Sequence, residues 1–329
     1  MIAEQLEAFF NDITPAGQVY TLRIAGDLLH DESHRQDMAH EFDYYRYPHA
    51  TMYTRFSQCR RQIAFDKLGW RKDTTTDAVG FLTMATGTLI ECYLKAAMVQ
   101  AGFDMEADLA LEIPGWSSGG KAVCSRPDAR IVVPESMQDQ FGKLAVVEIK
   151  SINTIGFDYW RSVGVRASHP HYYQQGVLEM VAAGVNTCVF LVQNKNSGVL
   201  HEEIIRMDCD ATKELDLLTD IFHYIETIQD PFEIGVAYGP EGIEVKHRGQ
   251  KWADSYTGPN RIEKWFSSDG KFYGWIEVVG QKLPKQCQYC YWRGTCWEFD
   301  NYSLFPGFDD DGKPMVRIYR RDDGEESSC

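Results

Sequence analysis

The chain has 329 residues, 44% hydrophobic and 25% charged, which places it among ordinary soluble globular proteins able to bury a sizeable core. Its 33 Lys and Arg against 48 Asp and Glu give a net charge of -15, which opposes nonspecific attachment to nucleic acid or an anionic membrane. Any nucleic-acid site must therefore be a local basic track. No repeat period suggests a solenoid. No run of about 18 apolar residues occurs, and the start, MIAEQLEAFFNDITPAG, is acidic where a signal peptide needs a basic flank, so a cytoplasmic protein is expected. Nine cysteines, an odd number, point away from a disulfide framework and towards thiol chemistry or metal binding.

In chain order, residues 1–50 read as a short amphipathic helix and a polar stretch in which His30, His34 and His40 lack a clean ligand spacing. Residues 57–69, SQCRRQIAFDKLG, read as a helix carrying Cys59. Around it runs a basic track, Arg55, Arg60, Arg61, Lys67, Arg71 and Lys72, against a single acid, Asp66. A solvated helix face is the alternative for that track. Residues 87–100 form a second predicted helix, with Glu91 and Lys95 one turn apart.

Three predicted strands follow at 109–113, 122–133 and 143–152, suggesting an antiparallel meander. A helix is expected over 170–184, strands over 187–193 and 202–207, and a long helix over 211–229. That order predicts an α/β fold with a central mixed sheet flanked by helices. Residues 230–285 read as loops with a hairpin around 271–279, and 301–329 as an acidic, flexible tail. Gly119, Gly120 and Lys121 lack the rest of a phosphate loop and read as a turn; His169 and His171 read as cap residues of the helix that follows.

The chemistry concentrates in two places. SRPDARI, residues 125–131, puts Asp128 in a strand, and VVEIKS, residues 146–151, puts Glu148 and Lys150 on one strand face with Val147 and Ile149 on the other. Charged groups within an apolar strand are costly unless paired. Mg²⁺ or Mn²⁺ on carboxylate and carbonyl oxygens would meet that demand, lowering the pKa of a bound water that Lys150 could position. Pairing of the two acids with Arg130 and Lys150 on an exposed strand is the structural alternative.

PD, a hairpin-length gap and ExK, between a helix bearing GTLIE and one bearing YYQQ, together resemble the PD-(D/E)xK nuclease superfamily over about residues 55–225. The resemblance implies a restriction-endonuclease-like core in which Asp128, Glu148, Lys150 and Gln175 are catalytic. Glu91, Asp128, Glu148 and Ile149 would then hold the metal. In the RecB-type branch a Gly is followed four residues later by a ligand His; here Gly87 is followed by Glu91, and glutamate serves a hard cation as well. That branch's YxxQxxxY helix is matched by Tyr172 and Gln175, with Glu179 in place of the second Tyr. Tyr172, with Arg60 and Arg61 of the basic track, is the candidate DNA-binding set.

The second place is residues 286–297, QCQYCYWRGTCW, where Cys287, Cys290 and Cys296 are spaced Cx2Cx5C. With Cys59 upstream, the layout resembles AddB-type and CRISPR-associated RecB-like iron-sulfur nucleases, and implies a [4Fe-4S] cluster on Cys59, Cys287, Cys290 and Cys296. A tetrahedral Zn²⁺ would take the same four thiolates. Cys92, Cys124, Cys188 and Cys209 read as core residues and Cys329 as a tail thiol. The expectation is one nuclease domain over residues 1–300, its cluster region formed by Cys59 and 285–300, acting as a metal-dependent exonuclease on DNA in repair, recombination or viral DNA processing. A catalytically silent nucleic-acid-binding or redox-sensing metalloprotein is the alternative. Trp252, Trp265, Tyr273 and Trp275 could stack on single-stranded bases or pack inside.

Overall fold

The computed structural model describes residues 2–41, 49–55, 59–73, 78–107, 109–234, 261–266, 272–280, 290–299, 302–308 and 314–321. The chain divides into two compact units, Met1–Ser57 with Thr76–Thr227, and Gln58–Thr75 with Ile228–Cys329. Among the described residues no helix is long and apolar enough to cross a membrane.

Helices come first: α1 (Ile2–Asp12), α2 (Pro15–Glu41), α3 (Ala50–Arg55), then α4 (Arg60–Lys67) of the second unit and α5 (Ala78–Gln100). The polar stretch expected before residue 50 is thus largely helical, with His30 exposed on α2 beside Asp31 at 3.8 Å; the His34 and His40 side chains lie outside the described residues. Next come β1 (Met105–Ala107), β2 (Leu111–Ser118), β3 (Lys121–Ser125), β4 (Ala129–Val132), α6 (Gln138–Phe141) and β5 (Leu144–Ile152). The unit closes with α7 (Thr154–Ser168), α8 (Pro170–Ala183), β6 (Thr187–Asn194), β7 (Leu200–Arg206) and α9 (Cys209–Thr227).

Five strands form a mixed sheet in the order β1-β4-β5-β6-β7, with β5 and β6 parallel and the other neighbours antiparallel. Parallel neighbours need a crossover, and α7 with α8 supplies it. Strand alternation divides the core. Val147 and Ile149 face Leu94, Ala97 and Met98 of α5 and Leu6 of α1, whereas Val146 packs with Phe157 and Trp160 of α7 and Val177 and Met180 of α8. The sheet is therefore covered on both faces.

The expected strand over 122–133 is two strands in different sheets: β3 pairs with β2, through a turn at Gly119 and Gly120, and β4 joins the main sheet. Pro127 has no N–H for a ladder and sits at the break, leaving Asp128 at the bend before β4 and not inside a strand. The meander is accordingly two separate pairs. α7 has no counterpart in the sequence reading because its two glycines, one at φ 78° in a kink at Gly164, interrupt the helical pattern.

α8 lies close on the sheet because Gly176 lets it. A Cβ there would come within 2.9 Å of Phe190 Cζ and 3.0 Å of Cys188 Sγ, both in the core. Gly176→Ala should therefore destabilise the fold by about 1–3 kcal/mol in urea denaturation, despite alanine's better helix propensity.

In the second unit, α4 has five consecutive buried residues, Arg61 to Phe65, so it is buried on all sides. The Phe65 ring stacks at 5.8 Å on Trp292, whose Nε1 donates to Trp70 O at 2.9 Å. Asp73 caps α10 (Arg293–Phe299) through Thr295 N at 2.8 Å, while its own N donates to Tyr291 O at 2.8 Å. Strands β8 (Arg261–Phe266), β9 (Phe272–Gly280), β10 (Tyr302–Phe308) and β11 (Pro314–Arg321) form an antiparallel sheet in the order β10-β11-β9-β8. The hairpin expected around 271–279 pairs β8 with β9, and the segment expected as a flexible tail carries β10 and β11.

Candidate active site

In the first unit the break at Pro127 aims Asp128 at the neighbouring strand, where its Oδ2 accepts from Ile149 N at 2.6 Å. That bond places Asp128 beside the backbone between Glu148 and Lys150. Glu148 is fully buried, and Lys150, 16% exposed, forms an ion pair with its Oε2. The Lys150 ammonium also lies 4.9 Å from the centroid of the Tyr172 ring on α8, a cation–π placement. As alternation requires, Glu148 and Lys150 face α8, and Val147 and Ile149 face α5.

α8 adds two further polar groups. Gln175 Nε2 donates to Glu179 Oε1 at 2.9 Å, and Glu179 is fully buried within hydrogen-bonding reach of Glu148. On the other side, a Cβ at Gly87 would lie 3.7 Å from Ser151 Oγ, so the turn of α5 that leads to Glu91 stands beside the end of β5. Glu91, 30% exposed, pairs at 2.6 Å with Lys95, which is 2% exposed.

These acids share one electrostatic field. Burial first, then the charges of Glu148 and Glu91, raises Asp128 well above the usual carboxylate range, against Lys150 and Lys95. Burial, then Glu148, does the same to Glu179. Burial pulls the Lys150 ammonium down, but Glu148 and Asp128 outweigh it and hold it above the usual lysine range. A carboxyl whose folded pKa is raised contributes its full stability below its unfolded value and loses it as pH rises through the folded one. In cation-free buffer, Asp128→Asn should thus stabilise the protein at pH 8 but not near pH 4; an equal thermal shift at both would contradict this field.

No family model and no curated relative matches the chain. Among solved structures it is similar to an alkaline exonuclease from Laribacter hongkongensis, at 15% identity and a TM-score of 0.40, over 56% of this chain and 89% of that one. A second structure of that exonuclease is in complex with dAMP. A phage-related exonuclease from Haemophilus somnus 129PT is similar at 11% identity and a TM-score of 0.32, over 51% of this chain and 78% of that one. The protein SSO0001 is similar at 15% identity and a TM-score of 0.36, over 68% and 84%. The functional assignment rests on the residues of this chain.

The sequence-predicted residues Asp128, Glu148, Ile149, Lys150, Tyr172 and Gln175 come together, with Glu91 at the margin. Two residues of the site have no role in the sequence reading. Lys95, noted only as one turn from Glu91, is a buried cation holding it, and Glu179 is a buried acid against Glu148. A lysine or glutamate at an apolar helical position is the signal for both. Among the described residues, no three His, Cys, Asp or Glu side chains are grouped closely enough to hold a metal ion as they stand. Each carboxylate is engaged by a protein donor, in part or whole: Asp128 by Ile149 N, Glu148 by Lys150, Glu91 by Lys95.

In the second unit Cys59, at the N-terminus of α4, lies near enough to Cys290, more than two hundred positions further along the chain, to act on its thiol. Burial first, with Cys59 and Cys296 adding to it, pushes the Cys290 thiol up to about 12. Cys287, Cys329 and Trp252 lie outside the described residues, as do the side chains of Trp265, Tyr273 and Trp275 on β8 and β9. Arg61, expected in the DNA-binding set, lies inside the second unit. It is 5% exposed and donates from Nε to Ile234 O at 3.1 Å and from Nη1 to Cys296 Sγ at 3.3 Å, with its guanidinium 5.4 Å from the Phe232 centroid. Arg60 remains exposed. Cys92 and Cys188 are buried core residues, Cys124 is half-buried and Cys209 exposed.

Proposed function

We propose that the first unit is a divalent-cation-dependent DNA nuclease, acting from strand ends, and that the second unit carries a [4Fe-4S] cluster. One observation carries the nuclease reading: the Asp128 carboxylate is bonded to the backbone N–H between Glu148 and Lys150. An apolar sheet that gathers two acids and a lysine in this way has built a charged site that it does not need for folding.

The donor set suits a hard cation. Asp128 and Glu148 offer carboxylate oxygens, Glu148 Oε1 is buried without a partner when Glu179 is ionised, and Asp128 is raised in pKa by burial and then by neighbouring negative charge that a cation would neutralise. Asp128, Glu148 and the backbone carbonyl of Ile149 would hold Mg²⁺ or Mn²⁺, with Glu91 swinging from Lys95 to join them. When bound, the ion lowers the pKa of a coordinated water and polarises a phosphoryl oxygen. Lys150, kept charged by Glu148 and oriented by the Tyr172 ring, presents its ammonium to the negative charge that grows on the phosphate during attack. Gln175 fixes Glu179, and through it the wall against which Glu148 rests.

Incubation with linear and covalently closed circular DNA in Mn²⁺ tests the preference for ends: mononucleotide release from linear substrate alone is the expected result, and nicking of circles would make the enzyme an endonuclease. For Glu91, alanine is expected to raise the Mn²⁺ concentration needed for half-maximal cleavage by about 10–100-fold, with histidine restoring part of the loss. A Glu91→Ala variant with unchanged Mn²⁺ dependence would leave Glu91 as the partner of Lys95 and nothing more.

The cysteine reading rests on the Cx2Cx5C spacing of Cys287, Cys290 and Cys296 and is supported by Cys59 and Cys296 each lying near enough to Cys290 to act on its thiol. Soft thiolates suit iron-sulfur clusters and zinc alike, and a cluster would also fasten residues around 59 to residues around 290.

A further inference from the structure

Two buried carboxyl groups in the first unit stand within hydrogen-bonding reach of each other, and when both are ionised no donor lies between them. Glu148 on β5 and Glu179 on α8 are both fully shielded from solvent. Glu148 uses Oε2 for Lys150, and Glu179 uses Oε1 for Gln175 Nε2 at 2.9 Å. With both groups ionised, Glu148 Oε1 and Glu179 Oε2 then have no hydrogen-bond partner. Buried polar atoms are almost always satisfied, and an exception needs a missing group to explain it.

Charge specifies what the group is. With all three carboxyls ionised, the state a bound cation would favour, Asp128, Glu148 and Glu179 bring three negative charges and Lys150 one positive charge, while Glu91 and Lys95 cancel. Two negative charges remain, which a divalent cation balances. Gly176 has a part in this, since only a glycine lets α8 approach the sheet closely enough to bring Glu179, one turn further on, to Glu148.

We propose that Glu179 is a further oxygen ligand of the divalent cation bound by Glu148, with Gln175 as the positioning residue that points its free oxygen at the ion. The inference rests on the cation-dependent nuclease reading and extends its ligand set to the third turn of α8. It also gives a reason for an acid at this place on an apolar helix face: a hydrocarbon side chain there would leave the ion under-neutralised.

The test is titration of the full-length protein with Mn²⁺ alone, followed by calorimetry and by the shift in thermal midpoint. Glu179→Gln keeps the shape and can donate to Glu148, so the cation-free variant should melt higher than the wild type. Its Mn²⁺ affinity should fall by about 10–100-fold and its Mn²⁺-induced thermal shift should shrink. Glu179→Asp should fall between the two, and Gln175→Leu should weaken Mn²⁺ binding less than Glu179→Gln does. Mn²⁺ affinity lost in Asp128→Ala yet unchanged in Glu179→Gln would overturn this assignment alone. Wild-type protein that takes up no Mn²⁺ would overturn it together with the nuclease reading.

Discussion

Protein purified without air should be brown, with about four irons and four sulfides per chain. Replacing Cys59, Cys287, Cys290 or Cys296 by Ser should remove most of the iron and lower soluble yield together, because ligation that joins distant segments is itself folding free energy. The Cys290 thiol, pushed up to about 12 by burial beside Cys59 and Cys296, is a poor anion alone and needs a metal to be held as a thiolate. Substitution of Cys92, Cys124, Cys188, Cys209 or Cys329 should leave the iron unchanged. A colourless preparation with one zinc per chain would replace the cluster by a tetrahedral Zn²⁺ on the same ligands. Full iron content in Cys59→Ser would remove Cys59 from the set.

The second large effect is on chemistry. Lys150→Ala and Asp128→Ala should each lower the cleavage rate by at least about 10²–10³-fold, since each removes a preorganised group aimed at the reacting phosphate or at the cation beside it. DNA binding, measured by fluorescence anisotropy in Ca²⁺, should survive both substitutions. Lys150→Ala has a structural consequence as well: it leaves the buried Glu148 carboxylate without its ion-pair partner. Fold integrity is therefore checked by circular dichroism, and Lys150→Met with native melting but no cleavage would assign the loss to the ammonium itself. Rates within about threefold of wild type for both variants would remove these residues from catalysis.

The alternation of VVEIKS made one part of this site legible in advance. A period of two puts Glu148 and Lys150 on one face, and the strand realises it with α8 on that side and α5 on the other. The break after Ser125 was less legible, because CSRPDARIV reads as one β-rich run unless Pro127 is given its full weight as a residue that cannot enter a ladder. Arg61 shows what charge counting cannot register. Its track has six basic residues and one acid, but the short helix that carries it is buried on all sides, and the guanidinium turns to a carbonyl and a sulfur. Lys95 and Glu179 were hidden for the same reason, since a single charged residue on a helix is ordinary at the surface, and only packing reveals that these two are inside.

The mixed sheet was predictable in kind, and its order was not. Sequence periodicity marked β5, α8, β6, β7 and α9 close to their observed bounds, because each has an apolar pattern longer than its flanking turns. It could not say that β2 and β3 leave the main sheet, nor that β1, three residues long, joins it. Strand partners are decided by tertiary contacts that no local pattern carries.

The most direct test of the whole account is the release of radiolabel from end-labelled linear DNA by purified wild-type protein, with Mn²⁺ present and then removed by chelation. Label released as mononucleotide with Mn²⁺, stopped by chelation and absent from Asp128→Ala protein prepared in parallel, is the result expected from the carboxylate and lysine arrangement at the end of β5. Intact DNA under every divalent cation tried, from protein that is folded and carries its iron, would contradict it and leave the chain a nucleic-acid-binding or redox-sensing metalloprotein.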